Sequence, residues 1–402
     1  MKGLPRGFKS IGGIEAERIE RARQVFFEIF TGYGYRLLLP SSVQLFGPCW
    51  ECLSGDVRSR MVSLGTPSGE TGCLRPDLTL AAVSYLSSHY APEERPLRVC
   101  YADKVYRIPS PPDNDVEYFQ IGAELLGWES EGADIELLTL LLKTLDALEV
   151  RESFIVIGDV TILASLLKEL PERSSIALRE ALARRSFSSF REILDRAPIP
   201  ESLRRPLEAL PYLRGGVEVL ESATRALPKD CSTGSVRNLV EALAVSGFKD
   251  RVLVDLSIAR ELDYYSGPVF EVFCGSHGRP VGGGGRYDGL LSSFGVLGQA
   301  IGFSLNLDLL LYRGTSPVSK SLAVMTWSGD LRPETAMKLA AELAACGVTV
   351  EMSWIDQRER SIELARRRGY RWWTDLSDGS IYDLENNSPV DRADWLPDGG
   401  RI

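Results

Sequence analysis

Residues 256–290 hold the stretch that most constrains this chain. It reads Ile258-Ala259-Arg260-Glu261-Leu262-Asp263-Tyr264-Tyr265-Ser266-Gly267-Pro268-Val269-Phe270-Glu271 and resumes as Gly282-Gly283-Gly284-Gly285-Arg286-Tyr287-Asp288-Gly289. An arginine and paired tyrosines precede an apolar run, Val269 to Phe273, that reads as a strand, and the four glycines follow it. Glycines let backbone approach closely, and tyrosine joins an apolar ring to a polar tip, so such a stretch can line a small-ligand pocket. A buried strand followed by a mobile surface loop would use the same residues. Spacing alone does not separate the two.

A second run carries its own physical argument. If Tyr118 to Leu126 is a strand, Phe119, Ile121, Ala123 and Leu125 form one apolar face, and Gln120, Gly122 and Glu124 share the other. Gln120 and Glu124 then stand roughly 13 Å apart at about 3.3 Å per residue, and Gly122 between them leaves room for a ligand. A solvated outer face explains the two polar residues as well, but it does not ask for glycine in mid-strand.

The remaining pattern sets the frame. Ile19, Ala22, Val25, Phe26, Ile29 and Phe30 recur at helical spacing between Ile14 and Phe30, Gly32-Tyr33-Gly34 closes that helix, and Tyr35 to Leu39 reads as a strand stopped by Pro40. Leu74-Arg75-Pro76-Asp77-Leu78-Thr79 leads into an apolar helical run to Tyr85, which Asp77 or Thr79 can cap. Ser153 to Val160 reads as another strand. Residues from about Thr161 to Phe248 read as short helices broken by prolines, and the core resumes at Arg251 to Leu256. Arg313 to Ser319 reads as a linker, and beyond it strand and helix alternate, with Pro333 opening the first helix and Gly347 and Gly369 closing the two helices. That last part is a small α/β domain with a partly parallel sheet.

At 402 residues and 44% hydrophobic content the chain holds two or three domains with ample cores. No apolar run reaches membrane-spanning length and the start lacks a signal-peptide core, so a cytoplasmic location is expected. The formal charge of −9 disfavours a non-specific grip on nucleic acid, although Arg184-Arg185, Arg204-Arg205 and Arg366-Arg367-Arg368 could form local basic patches. The seven cysteines form no disulfide framework. Cys49 and Cys52, an isolated Cys-x-x-Cys with only His89 and His277 to help, make a poor zinc site, so no metal and no cofactor are expected.

The segments Arg-x-Leu-Asp-Tyr-Tyr, Gly-Gly-Arg-Tyr-Asp and Phe-Gln-Ile-Gly-x-Glu together resemble the histidine-pocket signatures of histidyl-tRNA synthetases and their non-synthetase relatives. The resemblance covers residues 5 to 311 firmly and the remainder loosely. It implies an α+β fold: a class II synthetase-like antiparallel sheet flanked by helices, built from residues 1–160 and 249–312. It also implies a helical insertion at 161–248 and a degenerate anticodon-binding-like α/β domain at 320–402. By the same resemblance Arg260 meets a ligand carboxylate, Asp77 and Gln120 meet its ammonium group with Thr79 beside them, and Glu124, Tyr265 and Tyr287 surround its imidazole. A zwitterion needs an opposite charge at each end, and an imidazole needs polar partners in an otherwise apolar slot.

The adenylation machinery is where the sequence departs from that family. Arg107 matches its second-motif arginine and is a residual phosphate-binding candidate, but Pro109 and Val116 stand where a glutamate and a basic residue are expected. The third motif, Gly302 to Leu309, has Asn306 for glycine and Leu309 for arginine. Losing one charge-stabilising group costs about 10²- to 10³-fold in rate, so amino-acid activation is not expected. A histidine-shaped pocket without an ATP grip resembles the regulatory subunits of ATP phosphoribosyltransferase. That branch implies a non-catalytic cytoplasmic homodimer within a hetero-oligomer, partnered by the short-form catalytic subunit, with histidine as allosteric effector. A divergent histidyl-tRNA synthetase and a synthetase-like RNA-binding paralogue are the alternatives.

Overall fold

The computed structural model describes residues 3–53, 55–91, 94, 96–111, 113–150, 152–259, 264–275, 277–296, 298–311 and 323–390. The chain divides into two compact units, Met1–Thr315 and Ser316–Ile402.

In the first unit, helix α1 (Ile14–Gly32) buries Ile19, Ala22, Phe26 and Phe30, the stripe that its 3.6-residue period marks out. Strand β1 is shorter than the expected Tyr35 to Leu39: only Arg36–Leu37 pairs, parallel to a later strand. A small sheet follows, made of β2 (Val43–Leu45), β3 (Ser63–Gly65) and β4 (Thr71–Leu74), with α2 (Phe46–Cys52) and α3 (Gly55–Ser59) between its first two strands. Helix α4 (Leu78–His89) starts inside the protein, with every residue from Leu78 to Val83 buried. Strands β5 (Leu97–Tyr106) and β6 (Glu117–Leu126) then pair antiparallel along ten residues each. Helix α5 (Glu131–Ala147) and β7 (Ser153–Asp159) complete this half.

Between β7 and β9 lies a largely helical segment: α6 (Val160–Leu167), α7 (Glu172–Ala183), α8 (Phe187–Arg196), α9 (Glu201–Ala209), the two-residue strand β8 (Arg214–Gly215), α10 (Val219–Ala226) and α11 (Gly234–Leu243). Its α-helices are short, as expected, and no longer than 12 residues, but Pro206 does not break a helix: it lies inside α9. Strands β9 (Val252–Asp255), β10 (Pro268–Cys274), β11 (Gly282–Arg286) and β12 (Ala300–Asn306) close the sheet, with α12 (Asp288–Ser293) and α13 (Leu307–Leu311) after the last two. Sheet order is β1-β5-β6-β12-β11-β10-β7-β9-β8, antiparallel throughout its middle.

The four glycines are therefore not a surface loop. They form β11, an interior strand between β10 and β12. One sheet face packs Ile121, Ala123 and Leu125 against the apolar stripes of α1 and α5; Val99, Tyr101 and Leu126 join the α4 and α12 cluster.

The second unit places β13 (Ala323–Trp327), α14 (Pro333–Ala345), β14 (Thr349–Ser353), α15 (Arg358–Arg367) and β15 (Trp372–Asp375) in an alternating run, with β13 parallel to both β14 and β15. Two short antiparallel strands not marked out in the sequence pattern, β16 (Ile381–Asp383) and β17 (Ser388–Val390), extend the sheet. Fully buried Trp373 anchors this unit, its Nε1 donating to Ser361 Oγ at 2.9 Å. Residues 313–319, read as a linker, lie outside the described residues.

Candidate functional site

A cleft of about 500 Å³ opens over the sheet of the first unit, with the glycines of β11 in its floor. The N-terminus of α4 forms one side, because two of its orphan N–H groups are capped there. Asp77 accepts from Leu80 N at 3.1 Å, and Gln120, reaching across from β6, accepts from Leu78 N at 3.0 Å. Asp77 thus has the helix-capping role open to it in the sequence, and it lines the cleft as well. Its other oxygen stands 3.4 Å from Arg107 Nη2, and Arg107 Nε donates to Pro76 O at 2.7 Å.

Asp77, Thr79, Arg107, Gln120, Tyr265 and Tyr287 all line this one cleft. Tyr264 joins them, its ring 5.0 Å from that of Tyr265 and 6.0 Å from that of Tyr287, edge to face with the latter. Arg260 lies outside the described residues. Glu124 is different. It is completely buried and is not part of the cleft wall: Tyr101 Oη donates to its Oε1 at 2.5 Å and Tyr287 Oη to its Oε2 at 2.5 Å. Burial pushes this carboxyl up to about 8, against the lowering effect of the hydroxyls around it and with a further push from the nearby charge of Asp77. The same burial, reinforced by Glu124, raises Tyr101 and Tyr287 well above the ordinary tyrosine range.

The space beside Gly122 is likewise not ligand space. A Cβ there would stand 2.3 Å from Phe303 O and 2.6 Å from the Tyr101 ring, so the glycine admits a tyrosine from the neighbouring strand. Gln120 and Glu124 leave the same face of β6, but packing of Tyr101 and Tyr287 seals off the second.

Several other charges at the cleft are matched within the protein, while Arg60 on its wall donates from Nε to Ile108 O at 3.0 Å. Arg279 donates to Asp113 Oδ2 at 2.9 Å, Arg185 pairs with Glu271, and Lys9 Nζ stands 3.0 Å from Asp115 Oδ2 and 3.2 Å from Asp308 Oδ2. Asn306 caps α13 by accepting from Leu309 N at 3.0 Å, and Leu309 lines the cleft. Arg286 turns away from the cleft into a buried pair with Asp134, Nη2 to Oδ2 2.8 Å. Sequence reasoning missed Tyr101, Asp113 and Arg279, and it read Arg185 as part of a basic patch, not as the partner of Glu271. Gly122 was the signal for Tyr101, since a mid-strand glycine implies something bulky across the ladder; the ion pairs had none.

The histidyl-tRNA synthetase family model matches residues 7–310. The regulatory subunit of ATP phosphoribosyltransferase from Moorella thermoacetica is 30% identical over 386 residues, covering 91% of this chain and 95% of that one. Its namesake from Cupriavidus taiwanensis is 34% identical over 333 residues, covering 81% and 86%. This chain belongs to the histidyl-tRNA synthetase-like family, among the ATP phosphoribosyltransferase regulatory subunits. Among solved structures, one from Bacillus halodurans described as an ATP phosphoribosyltransferase regulatory subunit/histidyl-tRNA synthetase superposes with a TM-score of 0.80 at 25% identity, covering 93% of this chain and 97% of that one. A Nostoc histidyl-tRNA synthetase, at 19% identity and TM-score 0.79 over 97% and 96%, shares the fold. The sheet flanked by helices is the class II synthetase-like architecture of this family.

Among the described residues no group of three or more His, Cys, Asp or Glu is placed to hold a metal ion. The side chains of Cys49 and Cys52 are not among those described. No described helix is long and apolar enough to cross a membrane.

Proposed function

We propose that this protein is the non-catalytic regulatory subunit of an ATP phosphoribosyltransferase, the first enzyme of histidine biosynthesis. It acts in the cytoplasm as a homodimer joined to short-form catalytic subunits, supports their activity and takes part in feedback by histidine. Histidine occupies the cleft, with Asp77 and Gln120 at its ammonium group, Arg260 at its carboxylate, and Thr79, Tyr265 and Tyr287 toward its ring; Glu124 acts from behind Tyr287. Arg107 sits against Asp77 until the ligand's ammonium group competes for that carboxylate.

The observation that carries this reading is the internal matching of three arginines on the cleft wall. Adenylation needs fixed cations left available to an anionic triphosphate and its transition state. Here Arg107, Arg185 and Arg279 each face a carboxylate of the protein, and Leu309 offers no charge. The loss of the adenylation residues is inferred from that pattern together with Pro109, Val116, Asn306 and Leu309. Residues 320–402 read as a degenerate anticodon-binding-like domain in which four arginines face carboxylates of the protein: Arg358 to Asp375, Arg367 to Glu363, Arg368 to Glu351 and Arg371 to Asp383. That disfavours an RNA-binding role.

Feedback requires that histidine bind two arrangements of the assembly with different affinity, because equal affinity transmits nothing. The test combines the purified protein with its short catalytic partner and measures ATP phosphoribosylation with and without histidine, alongside histidine-dependent ATP–pyrophosphate exchange by the protein alone. Stimulation of the partner, inhibition by histidine and no exchange are expected. Exchange activity would overturn the reading in favour of a divergent synthetase.

A further inference from the structure

Glu124 is completely buried and is not part of the cleft wall, yet it is wired to it. Tyr101 Oη lies 3.0 Å from Thr79 Oγ1 and 2.5 Å from Glu124 Oε1, and Tyr287 Oη lies 2.5 Å from Glu124 Oε2. Thr79 and Tyr287 line the cleft, while Tyr101 and Glu124, both 0% exposed, are sealed behind them. Gly302, its β12 neighbour, leaves the carboxylate its space: a Cβ there would fall 1.5 Å from Glu124 Oε2.

Counting protons along this chain gives it a direction. An ionised carboxylate only accepts, so with Glu124 charged both tyrosines donate to it and Thr79 donates inward to Tyr101. Both ends then show the cleft only lone pairs. Put one proton on Glu124 and it must donate to one of the tyrosines. If it donates to Tyr287, the Tyr287 hydroxyl proton turns toward the cleft. If it donates to Tyr101, that proton passes to Thr79, and the Thr79 proton turns outward. Either way one end becomes a donor and the other remains an acceptor.

A neutral imidazole has one N–H and one bare nitrogen; an imidazolium has two N–H groups. We propose that the chain Thr79–Tyr101–Glu124–Tyr287 is a proton-linked selector, in which Glu124 matches the cleft to its ligand ring by being protonated for a neutral imidazole and ionised for an imidazolium. This rests on the reading of the cleft as a histidine site. Glu124 is then a positioning residue that acts through Tyr287 and Thr79.

The matched complex holds one proton shared between Glu124 and the ring, whichever carries it. Below about pH 6.5, where free imidazole is charged, binding must release a proton. Above the folded-state value of Glu124, raised to about 8 chiefly by burial, binding must take one up. Affinity is therefore level between these limits and falls about tenfold per pH unit on either side. The groups that reach Glu124 are Tyr101 from β5, Asp77 and Thr79 from the start of α4, and Tyr287 after β11 with Tyr264 against its ring; β12 presents Gly302. Arg107 faces Asp77.

Glu124→Gln separates this idea from a plain need for negative charge. A glutamine amide donates through its nitrogen and accepts through its oxygen at every pH, reproducing the protonated state. Calorimetry of histidine binding at pH 7 and pH 9, each in two buffers of different ionisation enthalpy, counts protons. Protons taken up by the ligand's own groups contribute equally to both proteins, so the difference between them reports Glu124. The expected result is close to one more proton taken up per histidine at pH 9 by the wild type than by Glu124→Gln, with neutral-pH affinity weakened less than tenfold. Equal uptake, or loss of binding at pH 7 in a folded variant, overturns the proposal. If Glu124→Gln does not fold, Tyr101→Phe serves: with one donor fewer on the carboxylate, the alkaline limb must move to higher pH, and an unmoved limb refutes the chain. Failure of the wild type to bind histidine at any pH would instead overturn the histidine reading, and the selector with it.

Discussion

Replacing Gly122 by alanine adds a single carbon, and the structure specifies where it goes. The new Cβ would stand 2.3 Å from Phe303 O, 2.6 Å from Tyr101 Cε2 and 2.8 Å from Tyr101 Oη. The first contact is with ladder backbone and cannot be relieved by a rotamer change, so β6 and β12 must part or the Tyr101 ring must move. Overpacking of this kind costs about 1–3 kcal/mol. Displacing Tyr101 also weakens its hydrogen bonds to Glu124 and Thr79, at about 1 kcal/mol net for each and more where a charge is involved. Against this, alanine gains about 0.4–1 kcal/mol by restricting the unfolded chain. The balance is a loss of roughly 2–4 kcal/mol, and at about 2 °C per kcal/mol for a large domain the midpoint should fall by roughly 4–8 °C. Thermal unfolding followed by circular dichroism measures this, and calorimetry with histidine should show weaker binding because the Thr79–Tyr101–Glu124 arm is disturbed. Adding Tyr101→Val should recover only part of the stability, since the Phe303 carbonyl remains in the way. An unchanged midpoint with unchanged histidine affinity would refute the claim that Gly122 is there to admit Tyr101.

Asp134→Ala would leave the Arg286 guanidinium, on a side chain only 10% exposed, without its carboxylate; the expected loss is about 3–5 kcal/mol in urea unfolding, and a loss below about 1 kcal/mol would remove the pair's structural role. At the start of α4, Asp77→Asn keeps an acceptor for Leu80 N whereas Asp77→Ala does not, so the alanine variant should be about 1 kcal/mol less stable than the asparagine variant by the same measurement, with equal stabilities counting against the cap.

Several elements were legible because their signals are local. The stripe of α1 depends on side chains three and four apart, and the strand from Ser153 shows as a short continuous apolar run, Phe154 to Ile157. Tyr35 to Leu39 shows the limit: its apolar content suggests five residues of strand, but only Arg36 and Leu37 pair in the ladder on the edge of the sheet beside β5, with one further bond from Leu38 N to Cys100 O at 2.9 Å. β16 and β17 were missed because three-residue strands carry too little pattern to stand out from turns.

The residue types of the cleft, the family and the absence of an arginine at Leu309 were written in the chain itself, since they need nothing beyond identity and order. Which polar groups face the cavity was decided by packing. Gln120 and Glu124 are equivalent by strand alternation, yet one caps α4 at the cleft wall and the other is sealed by Tyr101 from β5 and Tyr287 from the end of β11. The matching of Arg279 to Asp113, 166 residues away, likewise arises only when β6 and β11 enter one sheet. Charge and polarity belong to single residues, but exposure and partnership belong to pairs that folding brings together.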